Sequence, residues 1–135
     1  MARSKLISRS ARSVALVGAL LTGLAAMPAG AVQPDPLGLW SRSDGNAKVR
    51  IDRCGAHFCA TNTWIRDSSK GESVGDVLIM KVKQGQGAVL TGTAYDPKRK
   101  LSYSMRISGS ANALSTRGCI VGGLICKTVS WTRLR

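Results

Sequence analysis

Four cysteines, one histidine and seven acidic side chains are the residues in this 135-residue chain best equipped for chemistry. The cysteines fall in two pairs, Cys54-Gly-Ala-His-Phe-Cys59 and Cys119-Ile-Val-Gly-Gly-Leu-Ile-Cys126. Such a set could bind zinc, exchange electrons or cross-link the chain. The spacings do not match the C-x2-C patterns of structural zinc sites, and no C-x-x-C redox motif occurs. An even cysteine count in an exported chain reads as disulfides. Three connectivities are open. Two local bridges are expected, because Gly55 and Gly122-Gly123 are turn signals that bring the flanking cysteines together. A two-residue turn at Gly122-Gly123 would place Cys119 and Cys126 at a hydrogen-bonded pair, where side chains stand further apart.

The single histidine, His57, lies inside the first cysteine loop with no acid nearby in sequence to orient it. That is a poor setting for a general base. The acids are Asp35, Asp44, Asp52, Asp67, Glu72, Asp76 and Asp96. Most sit in or beside turns, where Asp caps local backbone groups. There is no nucleophile elbow, P-loop, H-E-x-x-H motif or dinucleotide fingerprint. The expectation is a protein that is not an enzyme and uses no metal and no cofactor.

Two other residue sets suggest binding. Trp40, Phe58, Trp64, Tyr95, Tyr103 and Trp131 all fall on expected strands. They either fill a core or line a small cavity for an apolar or amphipathic ligand. The candidate lining is Trp40, Asn62, Trp64, Tyr103, Met105 and Arg133. The second set is basic. Lys81 and Lys83 share a strand face, Lys98-Arg99-Lys100 forms a turn, and Arg106 follows on the next strand. With 20 basic against 7 acidic residues, the net charge is +13. Such a surface attracts anionic envelope polymers or lipid headgroups. Nucleic acid is not expected as a partner, because the aromatics alternate inward rather than interleaving with the cations.

The elements that position these residues read as strands. Leu101, Tyr103, Met105 and Ile107 alternate with Ser102, Ser104, Arg106 and Ser108. A period of two puts one face in a core and the other in water. Leu78, Met80 and Val82 share a face, as do Phe58, Ala60, Asn62 and Trp64. Asn62 is an amide on an otherwise apolar face. Pointing inward it needs hydrogen-bond partners; otherwise a bulge turns it outward. Strands are expected over 37–43, 47–53, 57–65, 76–83, 88–95, 101–108, 113–118 and 124–134. The fold class is therefore all-β. Eight sequential antiparallel strands fit a small up-and-down barrel, which removes exposed edges; a two-sheet sandwich is the alternative.

The N-terminal segment reads differently. Arg3, Lys5, Arg9 and Arg12 precede the uncharged apolar run 14–26, followed by Ala29-Gly30-Ala31. This is the pattern of a Sec-type secretory signal peptide cleaved after Ala31. Its 13-residue apolar run is short of the roughly 20 residues that span a bilayer. The expected organisation is a signal peptide helix over 1–31, a short linker over 32–36 and one domain over 37–135. The mature chain would have 104 residues, no transmembrane segment and a periplasmic or secreted location.

The ordered landmarks are Gly38-Leu39-Trp40, Cys54-Gly55-x-x-Phe58-Cys59, Trp64, Gly92-x-x-Tyr95-Asp96-Pro97, Tyr103, Arg117-Gly118-Cys119, Cys126 and Trp131-Thr132-Arg133. In this order they resemble the DUF2147 family of small exported bacterial proteins, over about residues 37–135. That resemblance supplies no activity to carry over. More loosely, Gly38-x-Trp40 near the start and Arg133 near the end resemble lipocalin-like barrels. There an arginine of the last strand packs over the tryptophan of the first. The resemblance implies barrel closure by a cation over an indole face.

Overall fold

The computed structural model describes residues 32–135; the expected signal peptide, 1–31, lies outside the described residues. Strands occupy Gly38–Arg42 (β1), Ala47–Cys54 (β2), His57–Ile65 (β3), Val77–Gln84 (β4), Val89–Asp96 (β5), Leu101–Gly109 (β6), Ala113–Ile120 (β7) and Ile125–Arg133 (β8). A single 3-10 turn, Ser68–Lys70, interrupts the β3–β4 connection. Each strand pairs antiparallel with its sequence neighbour, and β8 pairs with β1, so the sheet closes into an eight-stranded barrel. Closure leaves no unpaired sheet edge. Among the described residues, no helix is long and apolar enough to cross a membrane.

Alternation sets the inside of the barrel. Trp40, Val49, Ile51, Phe58, Met80, Leu90, Ala94, Met105, Ile107 and Leu114 form one buried cluster. Along β6 the burial follows the expected period, with Met105 and Ile107 inside and Arg106 exposed. Gly92 lets β4 and β5 approach closely. A Cβ built there would lie 2.0 Å from the Lys81 carbonyl oxygen, so no side chain fits.

The up-and-down path gives the barrel two different ends. At one end lie the β2–β3, β4–β5 and β6–β7 turns and the chain on either side of the barrel. This end is closed by Trp40 and Arg133. Trp40 is fully buried and its Nε1 donates to the Pro36 carbonyl at 2.8 Å. The Arg133 guanidinium lies 4.2 Å from the Trp40 ring centre. It also donates to the carbonyls of Leu37 (2.6 Å), Asp35 (3.0 Å) and Ala111. Gly38 makes room for it: its φ is +115°, and a Cβ there would stand 2.7 Å from Arg133 Nη1. Arg53 covers Phe58 at the same end, 4.3 Å from the ring centre.

Both cysteine pairs are disulfides, Cys54–Cys59 across the β2–β3 turn and Cys119–Cys126 across the β7–β8 turn. The second turn is not the two-residue kind. Four residues, Val121 to Leu124, lie between Ile120 and Ile125, with hydrogen bonds from Gly123 N to Ile120 O and Leu124 N to Val121 O. The larger turn exchanges the pair types along the hairpin. Cys119 and Cys126 remain directly opposed, with a Cα separation of 4.0 Å, close to the narrow, non-hydrogen-bonded spacing of about 4.5 Å.

A candidate ligand cavity at the open end

The β1–β2, β3–β4, β5–β6 and β7–β8 connections gather at the other end, and here the barrel is open. A cavity of about 290 Å³ runs from this end into the lumen. Its walls carry Val49, Ile51, Ala60, Leu78, Met80, Ala94, Met105, Leu114 and Val129, with Tyr103 and Trp131 among them. All are inward positions of the alternation. The polar groups Arg42, Asn62, Glu72, Asp76, Asp96, Arg99, Thr116 and Lys127 also line it, mostly at the rim. Trp131 is held by a hydrogen bond from its Nε1 to Thr116 Oγ1 at 2.9 Å.

The rim is organised by ion pairs. Arg42 donates from Nη1 and Nη2 to the two Glu72 carboxylate oxygens at 2.5 and 2.7 Å, and from Nε to Asp44 at 2.9 Å. This bidentate, partly buried geometry is the stronger form of an arginine–carboxylate pair. The Glu72 hydrogen bond raises the Arg42 pKa above the ordinary arginine value. In return, the Arg42 hydrogen bond holds the Glu72 carboxyl below the usual range, against the opposing effect of burial. Asn46, only 2% exposed, ties this corner together. Its Nδ2 donates to Glu72 Oε2 at 3.1 Å and its Oδ1 accepts from the Asp67 N–H at 3.0 Å.

The other lip is held by Arg99 and Lys98. Arg99 Nη1 donates to Asp96 at 2.8 Å, and Lys98 Nζ donates to Asp76 at 3.0 Å. At Asp76 burial pushes the carboxyl up, but the Lys98 hydrogen bond and the Ser73 N–H outweigh it, so its pKa is lowered. Each acid lining the cavity is thus tied to a cation. Lys127 differs. It lines the cavity, is exposed, and makes no ion pair among the described residues.

Three of the six lining residues expected from sequence meet in this cavity: Asn62, Tyr103 and Met105. Asn62 points inward and its Nδ2 donates to the Ser73 carbonyl at 3.2 Å, so the amide has its partner. The other three do not line it. Trp40 and Arg133 stand at the closed end, where Trp40 packs into the buried cluster and Arg133 covers its ring. Trp64 lies on the outside, 40% exposed, with Lys48 Nζ 5.1 Å from its ring centre. The cause is a β-bulge. Asn62 opposes Val49 and Trp64 opposes Lys48, leaving Thr63 as the extra residue. One inserted residue reverses the face of all that follows.

Trp131, Thr116, Lys127 and Arg42 are lining residues absent from the expected set. Their signal was present in the alternation, since Lys127, Val129 and Trp131 share the face of Arg133, and Arg42 shares that of Trp40. Glu72 and Asp76 come from the irregular β3–β4 connection, where no period marks a direction.

The basic residues also separate. Lys98 and Arg99 belong to the rim, and Lys100 is exposed beside them. Lys81, Lys83 and Arg106 lie on the outer wall. There Arg106 is directly opposite Arg117, a further exposed cation. The cysteines, being cross-linked, do not offer a metal site.

A model of the family described as "Uncharacterized protein conserved in bacteria (DUF2147)" matches residues 38–133. No curated protein and no solved structure matches the chain significantly. The matched span runs from Gly38, which makes room for the closing arginine, to that arginine itself, and so covers the whole barrel. The chain belongs to the DUF2147 family.

Proposed function

We propose that this protein is a non-enzymatic binding module for a small amphipathic ligand. The observation that carries the reading is the apolar-walled cavity opening through a polar rim. Its volume of about 290 Å³ is near the lower end of ligand pockets, roughly 300–1,000 Å³. At about 30 Å³ per group, it takes on the order of ten non-hydrogen atoms. The apolar part of the ligand enters among Met80, Met105 and Trp131. A polar or anionic end stays at the rim, near Lys127. The ion pairs on Glu72, Asp76 and Asp96 favour binding over catalysis, since none of these acids stands free to act as a base. Two disulfides and the bacterial family support export, and the N-terminal pattern supports cleavage after Ala31.

Titration of the disulfide-intact protein with a small fluorescent fatty-acid analogue tests this. Saturable binding with quenching of Trp131, lost in Trp131→Phe, is the expected result. Binding with no Trp131 response would move the site elsewhere.

A second reading rests on the outer wall. Lys81, Lys83, Arg106 and Arg117 are exposed, and no outward residue of β4 to β8 is acidic. Like charges directly opposed, as in Arg106 and Arg117, are unfavourable until an anion lies between them. This wall suits an anionic envelope polymer. Retention on such a polymer that falls steeply with salt is expected, and salt-independent retention would contradict it.

A further inference from the structure

The β7–β8 turn carries apolar side chains that the barrel does not use. Leu124 is 84% exposed, Val121 61% and Ile125 60%. On the neighbouring β5–β6 hairpin, Leu101 is 39% exposed. The outward residues of the adjoining wall are otherwise mostly Ser, Thr, Lys and Arg. Val121 is the more telling position. Its φ is +54°, in the left-handed region, where a β-branched residue is strained and Gly or Asn is comfortable. Folding alone favours a different residue there, so a strained and exposed valine points to a partner outside the chain.

The surroundings of the turn define that partner. Lys100 and Lys127 stand at the same end of the barrel, both exposed and without an ion pair among the described residues. Exposed apolar side chains beside two exposed lysines, Lys127 with Asp44 near enough to feel its charge, complement an anionic bilayer, whose interface takes apolar groups and whose phosphates attract cations. The Cys119–Cys126 bridge crosses the base of the turn and limits the order the turn must lose or gain on docking. The cavity opens at this end as well, so an apolar ligand could pass between bilayer and lumen with little exposure to water.

We propose that the open end docks on an anionic lipid bilayer, with Val121, Leu124 and Ile125 entering the headgroup layer and Lys100 and Lys127 facing the phosphates. This goes beyond the ligand-binding reading and stands independently of it.

Sedimentation with vesicles tests the docking, using the disulfide-intact protein recovered from its own cells and variants prepared the same way. All forms share one N-terminus, so differences belong to the turn. Binding to phosphatidylcholine vesicles containing phosphatidylglycerol is expected, with little binding to phosphatidylcholine alone. Leu124→Ser should weaken it about tenfold or more. Lys100→Gln should weaken it about fivefold. Lys81→Gln, on the outer wall, should have less effect than Lys100→Gln. Melting temperatures should be unchanged, and Leu124→Ser should bind the fluorescent fatty-acid analogue normally without vesicles. That last readout separates failure of docking from failure of the cavity reading. Equal sedimentation of wild type and Leu124→Ser would overturn the proposal. So would self-association that Leu124→Ser abolishes without any vesicle binding, which would make the turn a contact between copies.

Discussion

The Arg133 guanidinium lies 4.2 Å from the centre of the Trp40 indole, joining the last strand to the first. The same group donates to carbonyls of the chain before β1 and of the β6–β7 turn. Trp40 and Arg133 together therefore close the end of the barrel opposite the cavity. This arrangement separates stability from the proposed binding: the closed end holds the fold, and the cavity opens at the other end.

Arg133→Ala should destabilise the fold by about 2–3 kcal/mol, from the lost cation–indole contact and the carbonyls left without a donor. Gly38→Ala should cost about 1–3 kcal/mol, because it strains a positive φ and meets the same guanidinium. Urea denaturation measures both. Affinity for the fluorescent fatty-acid analogue under native conditions should be unchanged, since neither residue lines the cavity.

The strand pattern was legible in the sequence because a half-buried sheet writes its period into residue types. All eight strands lie within two residues of their expected ends. The β6 segment from Leu101 was the clearest, with four apolar residues on one face and polar ones opposite. The cavity was harder to read. The Thr63 bulge leaves no composition signal, so alternation alone puts Trp64 on the inner face although it lies outside. The four-residue turn after Ile120 was hidden by its two glycines, either of which suits a tighter turn. Glu72 reaches Arg42 across 30 positions from an irregular segment, a contact that no local pattern encodes.

The Arg42–Glu72 pair makes the open end sensitive to acid. The Arg42 hydrogen bond holds the folded Glu72 pKa below its unfolded value. Its contribution is present above that value and is lost as pH falls through the lower folded pKa. Glu72→Gln should cost about 1–2 kcal/mol at neutral pH and less in acid, where the wild type has lost the same contribution. Stability measured by urea from pH 7 down to about pH 3 checks the convergence of the two curves.

Closing loops of 6 and 8 residues, the disulfides should each contribute about 2–2.5 kcal/mol. Together they are a large share of the roughly 5–15 kcal/mol that holds a small domain. Reduction should lower the urea midpoint markedly. Cys54→Ser with Cys59→Ser should weaken the fold while leaving the cavity end bridged.

Ala60 lines the cavity and is only partly buried, so Ala60→Phe should fill the lumen rather than disrupt the core. Affinity for the fluorescent fatty-acid analogue should fall tenfold or more, with a stability cost of no more than about 1–3 kcal/mol.

The claim that the lumen carries a ligand is tested most directly by native mass spectrometry, without reductant, of the protein recovered from its own cells. The expected spectrum shows the oxidised chain, four hydrogens lighter than its reduced form because of the two bridges, with a defined added mass. That mass should leave on denaturation and be missing from Ala60→Phe. A bare chain, or an adduct that Ala60→Phe retains in full, would contradict the account.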